Sequence, residues 1–167
     1  MREKSNVVLI GMPGCGKSTV GVLLAKRIRK KFVDTDLFIQ EQEERLLWEI
    51  IEEEGLERFK QIENEVNASV VTENSVIAPG GSVIYGEEAM KHLAEIAKVI
   101  YLKLSYEGVE ARLGDLKKRG VAMGPGQDLK SLYEERCPLY EKYAEIVVDC
   151  DGLELGETLE KVMEKLA

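Results

Sequence analysis

The stretch that most constrains this chain lies between Val7 and Ile28. Val7-Val8-Leu9-Ile10 runs into Gly11-Met12-Pro13-Gly14-Cys15-Gly16-Lys17-Ser18-Thr19, and from Val20 to Ile28 apolar residues recur at helical spacing. Gly11, Gly16, Lys17 and Ser18 fit G-x-x-x-x-G-K-[ST] in the setting that gives the pattern a mechanism, with a buried strand before it and an amphipathic helix after it. Glycines let backbone N–H groups converge on phosphate oxygens with no Cβ in the way, and the helix N-terminus adds positive potential. The pattern therefore predicts a P-loop for a nucleoside triphosphate, lined by Gly11, Gly14, Cys15, Gly16, Lys17, Ser18 and Thr19. Lys17 would reach the β- and γ-phosphates and Ser18 would place its hydroxyl on Mg²⁺, leaving Thr19 to the loop or the helix start. The alternative is a Gly-rich turn that binds nothing. Average residue usage brings the four fixed positions together by chance in about one chain in a hundred of this length, and the strand and helix on either side reduce that further.

The rest of the chain alternates in the same way. Phe32-Val33 starts a short strand ending in Asp34-Thr35-Asp36, and the spacing predicts helices over 37–47, 48–54 and 56–71, with Gly55 breaking the second from the third. Val76-Ile77-Ala78 is a third strand that stops at Pro79-Gly80-Gly81-Ser82. A helix over 86–95, a strand over 99–104 and a helix over 106–119 follow. Residues 120–126 hold three glycines and a proline and read as a flexible loop. A helix over 128–143, the strand Ile146-Val147-Val148 and a helix over 156–166 complete the chain. Five strands alternating with helices imply an α/β domain with a parallel sheet covered on both faces, a three-layer P-loop NTPase sandwich. Ligands of such sheets gather beyond the carboxyl ends of the strands. The P-loop, Asp34 with Asp36, and Gly80-Gly81 all fall there.

With 167 residues the chain has the size of one domain, and its net charge of −8 disfavours a nonspecific grip on nucleic acid or anionic lipid. No apolar run approaches the ~20 residues of a membrane span, and Met1 to Asn6 is charged and too short for a signal peptide, so the chain is expected in the cytoplasm. The lack of a long apolar seam points to a monomer. Cys15, Cys137 and Cys150 are an odd set without C-x-x-C spacing, which argues against a disulfide framework or structural zinc. Cys15 is either an oxidisable thiol among loop amides or a small side chain that fits. His92 is expected at the surface of a polar helix, Trp48 in packing, and Glu52-Glu53-Glu54 at a solvated helix end.

Five motifs in order resemble the shikimate kinase family: the P-loop, Phe32-x-Asp34-Thr35-Asp36, Phe59-Lys60-x-x-Glu63, Pro79-Gly80-Gly81, and Glu134-Glu135-Arg136-Cys137-Pro138-Leu139-Tyr140. The resemblance covers nearly the whole chain. It implies a nucleoside-monophosphate-kinase-like fold with a mobile lid over about 119–127 and an acceptor-binding region over about 34–63. It also implies transfer of the γ-phosphate of ATP to the 3-hydroxyl of shikimate with Mg²⁺. By the same resemblance Asp34 stands on the Mg²⁺ side, Asp36 binds and deprotonates the acceptor hydroxyl, Arg119 is the lid arginine, Arg136 grips the acceptor's carboxylate and Arg112 stacks on adenine. Gly80 and Gly81 let the acceptor approach the backbone. Asp149-Cys150-Asp151 falls where the family's adenine loop lies.

Three positions depart from the family. Its Phe-Arg-x-x-Glu becomes Phe59-Lys60-x-x-Glu63, and Lys60 keeps the charge but loses the planar two-pronged fit to a carboxylate. Arg58 cannot take its place, because two residues along a helix is a rotation of about 200°. The family's Gly-Gly-Gly becomes Gly80-Gly81-Ser82, and its lid Arg-Pro-Leu-Leu becomes Arg119-Gly120-Val121-Ala122, a floppier loop. These changes leave open a paralogue acting on another small hydroxylated acid or sugar. An ATP-binding regulatory module without turnover and a nucleoside monophosphate kinase are further alternatives, the last disfavoured by the lack of arginines for a second phosphate.

Overall fold

The computed structural model describes residues 4–113 and 121–167. Strands β1 (Asn6–Ile10), β2 (Lys31–Asp34), β3 (Ser75–Ala78), β4 (Ala97–Lys103) and β5 (Ile146–Asp149) form one sheet in the order β2-β3-β1-β4-β5, parallel throughout. The apolar run of β1 explains its central place. Val7, Val8, Leu9 and Ile10 are all buried, as a strand covered on both faces requires. The helices are α1 (Lys17–Arg27), α2 (Thr35–Glu43), α3 (Leu47–Glu54), α4 (Leu56–Ala68), α5 (Glu87–Ile96), α6 (Tyr106–Arg112), α7 (Leu129–Tyr143) and α8 (Leu155–Leu166), with a 3₁₀ turn at Val83–Tyr85.

The expected elements are all present, with shifts at their ends that have local causes. Helix α4 stops at Ala68 rather than residue 71, because the Ser69 hydroxyl bonds back to Glu65 O and Val66 O at 2.8 and 3.1 Å. Helix α7 runs through Pro138, whose ring removes the hydrogen bond to Glu134 O; both residues lie on the exposed face. Helix α6 is described to Arg112, and the rest of the predicted helix lies outside the described residues. Among the described residues no helix is long and apolar enough to cross a membrane.

Two apolar clusters divide the work. The larger holds the sheet and the helices packed on it, including Leu24, Ile77, Leu93, Tyr101, Tyr140 and Val162. The smaller joins Ile39 of α2, Ile50 of α3, and Phe59 and Ile62 of α4, closed off by Ala122. Each of these large side chains, fully buried, contributes roughly 1.5–3 kcal/mol, enough to hold α2–α4 as a firm wall beside the sheet. At the opposite, N-terminal edge, Asn6 is buried and fastens three chain segments. Its Nδ2 donates to Thr72 O and Ile96 O at 2.9 and 3.1 Å, and its Oδ1 accepts from Ser75 N at 2.9 Å.

Candidate active site

The loop from Gly11 to Gly16 turns β1 into α1. Gly16 caps the helix at φ 100°, ψ 12°, a left-handed conformation that a Cβ would strain. Lys17, buried in the first turn, folds back so that Nζ donates to Gly11 O at 2.8 Å and Met12 O at 3.0 Å, and lies 3.8 Å from Cys15 Sγ. Ser18 and Thr19 are exposed beside it. A cavity of about 700 Å³ begins here and runs past Gly80 and Gly81 to Arg136.

The far half of the cavity is built by α2, α4, the turn after β3, and α7. Asp34 caps α2, its Oδ1 accepting from Asp36 N at 2.9 Å, and this places Asp36 second in the first turn of the helix, facing Gly80. An ideal Cβ on Gly80 would stand 2.8 Å from Asp36 Oδ1 and 3.1 Å from Glu63 Oε2, so the bare Cα is what lets two carboxyls converge there. Glu63 sits among the buried positions of α4 with Phe59, Ile62 and Asn67, at the spacing of that helix's core face. Its Oε1 accepts from the Ser82 hydroxyl at 2.6 Å. Arg136, 1% exposed, donates from Nη2 to Ala122 O at 2.7 Å. Its guanidinium carbon stands 5.5 Å from the centre of the Tyr85 ring.

Burial dominates the electrostatics. It lifts the Glu63 carboxyl to about 7, Asp36 adding to the rise while Ser82, Arg136 and Lys60 pull it back. It lifts the Asp36 carboxyl to about 6, helped by the charge of Asp34 and opposed by Lys17 and the Gly80 amide. Asp36 as a residue is half-exposed, but its Oδ1 is cut off from solvent. Asp36 Oδ1, Glu63 Oε2 and Arg136 Nε are all buried without a protein partner. Native interiors rarely leave such atoms unsatisfied, and a cluster of two carboxyl oxygens and a guanidinium nitrogen along one cavity is the pattern of a polar ligand site.

Most of the residues expected from the sequence meet in this cavity: Gly14, Gly16, Lys17, Ser18, Thr19 and Arg112 at one end, Asp36, Gly80, Gly81 and Arg136 at the other. Gly11 and Cys15 lie behind the loop, buried. Asp34 lies outside the lining, at its capping position. Lys60 also stands back from it, its Nζ 4.2 Å from the centre of the Tyr85 ring. Arg112 reaches Cys15 O and Leu153 O at 3.2 and 3.4 Å, so it joins the P-loop to the segment after β5. Arg119 lies outside the described residues, as does Gly120. The described part of the expected lid is fastened: Ala122 is buried against α2–α4, Gly124 N donates to Gln127 Oε1 at 3.0 Å, and Gln127 Nε2 donates to Glu135 at 2.9 Å. His92, expected at the surface, is half-buried with Nε2 2.6 Å from Val70 O. Arg58 is exposed and pairs with Gln61, away from the cavity.

The site also contains residues that motif reading passed over. Leu153, Glu154 and Leu155 line the P-loop end, with the Leu155 side chain against Gly16, a placement that no motif signals. Tyr85 hides in an apolar Val-Ile-Tyr run. Glu63, by contrast, belongs to the Phe59-Lys60-x-x-Glu63 motif, and its signal is a lone acid within the apolar face of α4.

A parallel sheet in the order 2-3-1-4-5 with a P-loop after its central strand, and a polar acceptor-sized pocket beside it, defines a P-loop kinase of small molecules. A family model for shikimate kinase matches residues 13–167. Shikimate kinase of Moorella thermoacetica is 36% identical over 96% of this chain and 94% of its own, and that of Clostridium botulinum (strain Alaska E43) is 33% identical over 98% and 95%. Among solved structures, shikimate kinase from Aquifex aeolicus superposes with a TM-score of 0.81 at 30% identity, covering 96% of this chain and 95% of that one. A deoxyadenosine kinase from M. mycoides shares the fold at a TM-score of 0.60 and 18% identity, covering 96% and 97%. The chain belongs to the shikimate kinase family.

Proposed function

We propose that this protein transfers the γ-phosphate of ATP to a hydroxyl of shikimate. The observation that carries the reading is the trio of buried polar atoms without protein partners, Asp36 Oδ1, Glu63 Oε2 and Arg136 Nε, beside a P-loop. A ligand bearing both a carboxylate and hydroxyls complements that trio, the guanidinium taking the carboxylate and the acids taking hydroxyl protons. The solved shikimate kinase from Acinetobacter baumannii is in complex with shikimate, and its likeness to this chain, at 24% identity, lends the fold alone.

The P-loop amides and Lys17 hold the β- and γ-phosphates, Lys17 exchanging the carbonyls of Gly11 and Met12 for phosphate oxygens. Arg112 and the Leu153–Leu155 segment border the nucleotide. Ser18 offers a hydroxyl oxygen from the cavity lining, a hard donor that Mg²⁺ takes, and Asp34, which lies outside the lining with Oδ1 capping α2, would act on the metal side through water. Among the described residues no cluster of three acidic, His or Cys side chains could cage a metal, which suits an ion that keeps most of its contacts to phosphate and water. When bound, Mg²⁺ neutralises charge on the β- and γ-phosphates. Asp36 takes the proton of the acceptor hydroxyl as its oxygen bonds to the γ-phosphorus and the bond from that phosphorus to the β-phosphate oxygen breaks, leaving ADP. Its raised pKa suits it to hold that proton near neutrality. Arg136 and Lys60 orient the carboxylate, Gly80 and Gly81 admit the ring, and Arg119 is assigned to the transferring phosphoryl group. The same reading places the enzyme in the cytoplasm as a monomer.

The deciding experiment is ADP release with MgATP and millimolar shikimate, against a blank without acceptor and a panel of other hydroxy acids, sugars and nucleoside monophosphates. Turnover with shikimate far above the rest is the expected result. Turnover with another panel member only would reassign the acceptor, and ATP binding without turnover on any acceptor would make the chain a nucleotide-binding module.

A further inference from the structure

Tyr85 ends the 3₁₀ turn that follows Ser82, and its ring is approached by two cations delivered by different helices. Lys60 of α4 places Nζ 4.2 Å from the ring centre, and Arg136 of α7 places its guanidinium carbon 5.5 Å from it. Both distances are within the range at which a ring quadrupole attracts a cation. The only carboxylate ion-paired to Lys60 among the described residues is Glu57, at 3.9 Å and 87% exposed, which holds it weakly. The Tyr85 hydroxyl donates to Glu135 Oε1 at 2.6 Å, and the other oxygen of Glu135 accepts from Gln127 at 2.9 Å. The ring is thus fixed from its far end, by α7 and by the 121–128 segment.

We infer that Tyr85 is the positioning residue of the acceptor's carboxylate clamp. Its ring seats the Lys60 ammonium, which stands back from the cavity lining, and is approached by the lining residue Arg136 as well, so that on acceptor binding a flexible lysine and a buried arginine can act on one carboxylate. Two like charges converging on one anion repel each other before it arrives; an electron-rich ring within reach of both offsets that repulsion and removes rotamer freedom from Lys60. Tyr85 reaches the acceptor through these cations and need not touch it. The Glu135 and Gln127 hydrogen bonds hold the ring edge in place and tie the clamp to the segment that covers the pocket.

This rests on the reading of shikimate as acceptor, and the tests separate the two. Tyr85→Phe keeps the ring and sets a baseline, and the same position carrying phenylalanine with one, three or five ring fluorines weakens the quadrupole at nearly constant shape. The Michaelis constant for shikimate should climb along that series, about three- to thirtyfold from no fluorine to five, with that for ATP unmoved. In a Lys60→Met background most of the climb should vanish. A constant that ignores fluorination, a parallel rise for ATP, or an undiminished climb without Lys60 would each overturn the seat. Independently of any acceptor, the Lys60 Hε protons of the wild-type protein should show an upfield ring-current shift by NMR that Tyr85→Leu abolishes; no such shift overturns the seat. Wild-type protein inert toward shikimate overturns the acceptor assignment, and the NMR result then decides the seat by itself.

Discussion

The Ser82 hydroxyl donates to Glu63 Oε1 at 2.6 Å, so the turn after β3 holds the acid that α4 carries into the interior. The side chain that departs from the family's third glycine is employed in this chain, and it is 5% exposed. Ser82→Ala should lower the unfolding free energy by about 1–3 kcal/mol, the usual result of leaving a buried acceptor unpaired. Because the hydroxyl pulls the Glu63 pKa down, its loss should also move the acid limb of kcat/KM for shikimate to higher pH. Urea titration and a pH–rate profile check both, and a variant unchanged in both would show that the bond is absent in solution.

Glu63 also sets a pH dependence of stability. Its folded pKa of about 7 lies above the ordinary 4.5, so the folded chain holds this proton more tightly than the unfolded one. That contribution is fully present below about pH 4.5 and is lost as pH rises through about 7, on the order of 3 kcal/mol. Asp36, lifted from 3.8 to about 6, acts in the same direction. Glu63→Gln should flatten the fall in stability between pH 5 and pH 8 in the ligand-free protein and leave the variant more stable than the parent at pH 8. A variant that follows the parent's curve would place the titration elsewhere.

The proposed role of Asp36 as the acceptor's base is tested by its amide. Asp36→Asn keeps the size and one carbonyl acceptor but cannot take a proton, and general-base loss of this kind typically lowers rate about 10²- to 10⁴-fold. The nucleotide end, built by residues 14–19 and Arg112, is untouched, so ATP affinity should stay within about threefold by calorimetry. Equal losses in both would mean that Asp36 serves the loop's structure instead.

Much of the architecture was legible because each strand's apolar run and each turn's glycines act locally. Val7–Ile10 before Gly11 could only be a covered strand, and the Asp34-Thr35-Asp36 ending could be read as acids at a helix start, which is how Asp34 is used. What escaped was set by tertiary packing. Nothing near Tyr85 says that two cations from α4 and α7 will converge on it. Nor does the sequence over 120–126 say that Ala122 will pack with Ile39, Ile50, Phe59 and Ile62. His92 looked polar and peripheral because its partner, Val70 O, lies in another segment.

Replacing Lys60 with arginine offers a direct check of the clamp. A guanidinium would keep the cation–π contact with Tyr85 and offer a carboxylate a planar, two-pronged pair of donors in place of a point charge. Lys60→Arg should lower the Michaelis constant for shikimate about three- to tenfold, with that for ATP unchanged, in steady-state assays. A higher constant would show that position 60 does not face the acceptor.

The Asn6 knot gives the molecule a tolerance for divergence at its functional end. One buried amide binds the chain at Thr72, Ser75 and Ile96, none of which lines the cavity, so the strands are registered from the end opposite the cavity's rim. Substitutions at that rim, such as those at positions 60 and 82, can accumulate and be tested for new acceptors while the sheet keeps its registration. A lineage can thus drift in specificity without first losing its fold.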